Sequence, residues 1–76
     1  MRIDQQLRIL ALKTDLTLTE IGRRLNKSPQ SFSQKVKRGN FSITDLEDIA
    51  LVTGCSLVCS FVLPNGERIN LGDNYD

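Results

Sequence analysis

The 76-residue chain contains no histidine and no tryptophan, one tyrosine and three phenylalanines. Without imidazole, the most frequent general base and the most frequent nitrogen ligand of zinc are both missing. Cysteine is scarce too. Cys55 and Cys59 cannot build a disulfide framework and are not spaced as C-x-x-C. No apolar run approaches the ~20 residues that span a bilayer, and the opening MRIDQQLRIL lacks the apolar centre of a secretory signal. A chain this short buries only roughly 60% of its unfolded surface, which leaves little room for a spacious cleft. These absences argue against an enzyme, a metal, a cofactor and a membrane, and for a cytoplasmic location. The composition, 39% hydrophobic and 25% charged, is that of an ordinary folded domain.

The net charge of +1 hides a lopsided distribution. Residues 21 to 44 carry Arg23, Arg24, Lys27, Lys35, Lys37 and Arg38 and no acid at all. From residue 45 onward Arg68 stands alone against Asp45, Glu47, Asp48, Glu67, Asp73 and Asp76. A basic, acid-free stretch beside an acidic end is the footprint expected of a surface for a polyanion.

Ile3, Leu7, Leu10 and Ala11 recur at helical spacing, so a first helix is expected over residues 3 to 14. Ile9, Leu12 and Leu16 form a second apolar stripe that calls for a cover of its own. Thr17 to Glu20 reads as a T-x-x-E capping box opening a second helix, Leu18 to Leu25. Gly22 inside that helix costs up to about 1 kcal/mol of propensity, which close helix packing would explain. Ser28-Pro29 starts a third helix that Gly39 stops after Arg38. A second T-x-x-E, Thr44 to Glu47, is expected to open a fourth, with Leu46, Ile49, Ala50 and Thr53 inward and Gly54 as its stop. Beyond Gly54 the period becomes two, with Leu57, Cys59, Phe61 and Leu63 on one side of a strand and Val58 and Val62 on the other. Pro64-Asn65-Gly66 turns the chain into a return strand, Arg68 to Leu71, and residues 72 to 76 read as a flexible tail.

Two short capped helices joined by about three residues have the geometry of a helix-turn-helix. On the third helix Phe32 and Val36 point inward, and Gln30, Ser33, Gln34 and Lys37 share the opposite face. Glutamine can bond adenine through N6 and N7, and lysine can reach phosphate or guanine, so this face suits major-groove reading.

Leu-Thr-x-x-Glu-Ile-Gly at 16 to 22, Ser-Pro-Gln-Ser-Phe-Ser-Gln at 28 to 34, Arg-Gly at 38 to 39 and Leu-x-x-Ile-Ala-x-x-x-Gly at 46 to 54 resemble the lambda-repressor-like, or xenobiotic-response-element, Cro-type helix-turn-helix regulators of bacteria and phages. The resemblance implies base contacts from Gln30, Ser33 and Gln34, and backbone phosphate contacts from Thr17, Ser28, Lys35, Lys37, Arg38 and Asn40. Three positions depart from the family pattern. Leu18 stands where a phosphate-touching glutamine is common, and Ala11 and Val36 replace an arginine and glutamate that pair in many members. The strand pair replaces the usual fifth helix.

The expected architecture is therefore mainly α: a four-helix domain over residues 1 to 54 followed by a β-hairpin over 55 to 71, α+β overall. The hairpin is expected to form a homodimer through Leu57, Val58, Phe61 and Val62, with Leu57, Cys59 and Phe61 laid over the first and fourth helices. The function implied is a sequence-specific transcriptional repressor, associated with the nucleoid, on double-stranded DNA bearing an inverted repeat, needing no cofactor. The alternative is an antitoxin or inhibitor that binds a partner protein and touches DNA secondarily. RNA binding is less favoured, since few aromatics are available for stacking.

Overall fold

A computed structural model describes residues 3 to 71, so the expected flexible tail, 72 to 76, lies outside the described residues. Four helices, α1 (Ile3–Lys13), α2 (Leu18–Arg24), α3 (Pro29–Arg38) and α4 (Ile43–Thr53), precede two strands, β1 (Cys59–Val62) and β2 (Arg68–Leu71). None of the helices among the described residues is long and apolar enough to cross a membrane.

Local chemistry sets the helix boundaries. Thr17 accepts from the Glu20 amide at 3.0 Å while its own amide donates to Glu20 Oε1 at 3.1 Å, completing the expected capping box of α2. Ser28 Oγ accepts from the Ser31 amide at 3.1 Å, with Pro29 at the first helical position of α3. The start of α4 departs from expectation. Its cap is Ser42, whose Oγ accepts from the Asp45 amide at 3.1 Å while its amide donates to Asp45 Oδ2 at 3.0 Å. Aspartate at that third position serves as well as glutamate for a box two residues earlier, so Thr44 and Glu47 are simply helical residues.

Three of the helix ends share one device, a left-handed residue followed by an amide that bonds back five residues. Asp15 (φ 59°), Asn26 (φ 61°) and Gly54 (φ 73°) take the left-handed position. Leu16, Lys27 and Cys55 then donate to the carbonyls of Ala11, Gly22 and Ala50 at 2.9, 2.9 and 2.8 Å. This motif turns the following residue back onto its own helix. The expected second stripe is thereby corrected: Leu16 folds in against the core, while Ile9 and Leu12 stay 49% and 80% exposed.

Leu7, Ala11, Ile21, Phe32, Val36 and Ile49 form one buried cluster, with Leu10, Leu16, Leu18, Leu25, Phe41 and Leu46 among the residues packed around it. Ala11 and Val36, where the resemblance noted in the sequence led us to expect apolar packing in place of an ion pair, are 5% and 2% exposed in this cluster. Apolar packing at such a position often matches a buried ion pair in stability. α1 packs on α2 and α3, and α2 also packs on α4. At the α2–α3 crossing Gly22 is buried, and a Cβ added there would lie 2.9 Å from Cβ and Cγ of Phe32.

β1 pairs with β2 in antiparallel register, Cys59 with Leu71, Ser60 with Asn70, Phe61 with Ile69 and Val62 with Arg68. The turn is the one expected: Gly66 (φ 91°) donates to Leu63 O at 2.8 Å, and Asn65 Oδ1 accepts from the Glu67 amide at 3.0 Å. The expected placement of this hairpin over the first and fourth helices does not hold for Phe61. It is 63% exposed, and neither strand packs extensively on a helix. An extended strand leaving Gly54 carries its alternate side chains past the edge of the helical body before Phe61 is reached.

Gly22→Ala is expected to lower the melting temperature, although alanine is the better helix former. The propensity gain of up to about 1 kcal/mol is outweighed by overpacking against Phe32, typically about 1 to 3 kcal/mol in a filled core. Phe32→Ala should cost about 3 to 5 kcal/mol by the same thermal measurement. An alanine at position 22 that melted at or above the parent temperature would contradict the close approach.

Candidate nucleic-acid interface

The burial of Phe32 and Val36 fixes the rotation of α3. Gln30, Ser33, Gln34 and Lys37 then fall on the opposite, exposed side, as their spacing predicted. No side-chain hydrogen bond or ion pair to another described residue engages any of the four. Donors and acceptors left to water are what a base edge can replace.

Two open depressions flank this face. Thr19, Pro29, Gln30, Ser33 and Gln34 line one of about 440 Å³, which brings the exposed hydroxyl-bearing start of α2 beside the polar face of α3. The other, about 270 Å³, is lined by Lys27, Ser31, Gln34, Lys35, Arg38 and Asn40. Gln34 stands on the wall between them. A polar surface carrying amide and hydroxyl groups thus meets a basic cradle at one side chain. On the far flank of α3, Arg8 of α1 shares a shallow hollow with Thr19, Pro29, Ser33 and Val36. Positive charge therefore lies on both sides of the exposed helix. The major groove is about 12 Å wide, and an α-helix entering it brings its flanks toward the two phosphate rims.

The phosphate-contact residues named from sequence separate into distinct environments. Lys37, Arg38 and Asn40 are exposed at the end of α3 and in the turn after it. Ser28 is exposed and caps α3. Thr17 is held inside the capping box, its hydroxyl also within 3.2 Å of Glu20 Oε1. Lys35 is only half exposed, its Nζ 3.1 Å from Asp45 Oδ2 and 5.5 Å from the centre of the Phe41 ring. Its charge is shared with a carboxylate of the same chain.

The acid-free segment is thus less uniformly available than its sequence implies. Arg24 donates from Nη1 to Val52 O at 2.8 Å, where a cation complements the negative end of α4. Lys27, Ser31 and Arg8 line the hollows beside α3 instead, and sequence reasoning had given none of them a contact. Lys27 sits in the turn before α3, but Arg8 belongs to a stretch with no net charge, and only the packing of α1 on α3 brings it there. Of the dimer residues named from sequence, Val58, Phe61 and Val62 are 74, 63 and 61% exposed, and Leu57 is half-buried. Among the described residues no cluster of histidine, cysteine, aspartate and glutamate could hold a metal.

No protein-family profile matches the chain, and neither the curated proteins nor the solved structures give a match.

The Asp45 carboxyl is held below its ordinary value, first by the hydrogen bond from the Ser42 amide and next by Lys35. A depressed carboxyl contributes stability above the unfolded value near 3.9, and loses it as pH falls through the lower folded value. Asp45→Asn keeps an oxygen for the Ser42 amide but removes the charge. It should cost up to about 1 kcal/mol at pH 7, the range of a half-exposed pair. As pH falls through the lowered folded value its melting temperature should converge on that of the parent, and a difference that stayed constant with pH would show that the charge contributes nothing.

Proposed function

We propose that the protein is a sequence-specific DNA-binding regulator, a homodimeric repressor that inserts α3 into the major groove of an inverted repeat. The observation that carries the reading is the exposed, unpaired face of Gln30, Ser33 and Gln34, set between the basic cradle and Arg8. Bidentate hydrogen bonding from a glutamine selects adenine, and the flanking cations hold phosphates irrespective of sequence. Lys37, Arg38, Lys27 and Asn40 anchor one rim, Arg8 the other. The resemblance to lambda-repressor-like regulators belongs to this proposal and supports the same helix.

Two-fold symmetry follows from the use of an inverted repeat. Half-sites one turn of DNA apart ask for recognition helices about 34 Å from each other, which a dimer supplies. The alternative, an inhibitor or antitoxin that binds a different protein, draws on the exposed apolar hairpin.

Selection of duplexes from a random pool should enrich a palindrome. On that site Gln34→Ala should lose about 1 to 3 kcal/mol while leaving binding to random DNA nearly unchanged. Lys37→Ala should weaken every duplex alike and reduce the salt dependence by roughly one unit of slope, because a phosphate contact releases a counterion whatever the sequence. Equal weakening of specific and random DNA by Gln34→Ala would remove it from the reading face.

A further inference from the structure

α1 and α4 are not closely packed along their lengths, and between them lies an apolar groove of about 280 Å³. Leu7 and Leu10 wall one side, Leu46 and Ile49 the other, and Cys55 and Leu57 close the end. No charged residue lines it, and apart from the Cys55 thiol its polar side chains are Gln6 and Ser56, both exposed at the rim. An apolar cavity of about 150 Å³ already accepts a benzene, so this one holds an aromatic ring with space beside it. Apolar walls beneath a polar rim suit a tyrosine, which buries its ring while its hydroxyl finds a hydrogen-bond partner.

The hairpin aims one at the groove. β2 runs antiparallel to β1 and ends at Leu71, opposite Cys59, so the described chain stops while heading back toward the helices. Gly72, Asp73, Asn74, Tyr75 and Asp76 follow in the sequence. Four residues at the rise of a strand, about 3.3 Å each, span about 13 Å from Leu71 to Tyr75. At most the same distance separates Cys59 from Cys55, which puts Tyr75 within reach of the closed end of the groove. Gly72, the first residue past the ladder, lets the chain bend toward the helices. Of the residues that follow Leu71, Tyr75 alone has a side chain that an apolar groove would hold.

Other occupants fit less well. Phe61 lies on the strand face of Leu57, but the extended run carries it away from the groove, and it is 63% exposed. A side chain from a separate molecule competes with one tethered a few residues away, whose effective concentration is about millimolar. In dilute solution the tethered ring prevails.

We propose that the groove between α1 and α4 is the docking site of the chain's own C-terminal segment, with the ring of Tyr75 among the leucines and its hydroxyl at the Gln6 and Ser56 rim. A docked Tyr75 replaces the free tail expected from the sequence and clasps the hairpin to the helical body. Without the clasp the strands are joined to α4 by residues 54 to 58 alone, and a two-stranded hairpin with no cover is marginal in water. α3 contributes no residue to the groove, so the clasp is independent of the DNA reading.

One tyrosine and no tryptophan make the full chain its own probe, since emission excited beyond the phenylalanine band comes from Tyr75 alone. Its quenching by acrylamide should be roughly threefold weaker than that of the free peptide Gly-Asp-Asn-Tyr-Asp, because a docked ring meets the quencher only on opening. This protection should not change with chain concentration. Leu57→Asp should abolish it with helical circular dichroism unchanged, since Leu57 lines the groove and lies outside the core cluster. In a Cys59→Ser background the Cys55 thiol should react with iodoacetamide severalfold faster after Tyr75→Ser, and at the parent rate after Tyr75→Phe. Tyr75 quenched as readily as in the peptide, or Cys55 labelling indifferent to Tyr75→Ser, would overturn the proposal. Protection that appears only as chain concentration rises would overturn it too, and assign the groove to a second copy.

Discussion

Everything on the exposed polar face of α3 depends on how closely α2 and α3 approach. Phe32 lies against the bare backbone of Gly22, and no larger residue at position 22 would let the ring settle where it does. That contact sets the separation of the two helices, and the burial of Phe32 together with Val36 fixes the rotation of α3. Since Gln30, Ser33 and Gln34 share a rigid helix with Phe32 and Val36, locking the inner face also aims the outer one. A polar side chain on a helix held this way loses little further entropy on meeting a base edge, which is where specificity gains over a loop-borne contact.

Electrostatics is layered onto that frame unevenly. Asp45 does two jobs at once, closing the amide of Ser42 at the start of α4 and drawing Lys35 toward Phe41. The pairing ties α3 to the start of α4 and at the same time withholds part of one charge from the basic cradle. Arg24 is similarly diverted to the end of α4. The cations left facing solvent around α3, Lys27, Lys37 and Arg38 with Arg8 opposite, form a smaller and better-defined patch than the charge run in the sequence.

The helices were legible in the sequence because each boundary carries its own local chemistry: a capping box, Ser-Pro, a glycine stop. The α4 cap was misplaced because Ser42 and Asp45 form an equally good box two residues upstream of Thr44 and Glu47, and sequence alone does not rank them. The orientation of α3 was legible from Phe32 and Val36 four residues apart. Arg8 was not, since its nearness to α3 is a tertiary fact, and neither was the diversion of Lys35 by an acid ten residues away. The alternation of the hairpin predicted its two faces and its turn, but the cover expected for Phe61 from the first and fourth helices did not form. Period two says that one face wants burial and is silent on whether the cover lies in the same chain.

That silence marks a division within the molecule. The helical part closes its own core, with Ile21, Phe32, Val36 and Ile49 at most 2% exposed. The hairpin has no core of its own. Its strands are tied to each other by the ladder and to the body by the short run from Gly54 to Val58, whose Leu57 reaches back into the groove. The helical body is held by packing within its own cluster, while the apolar face of the hairpin stays open to solvent.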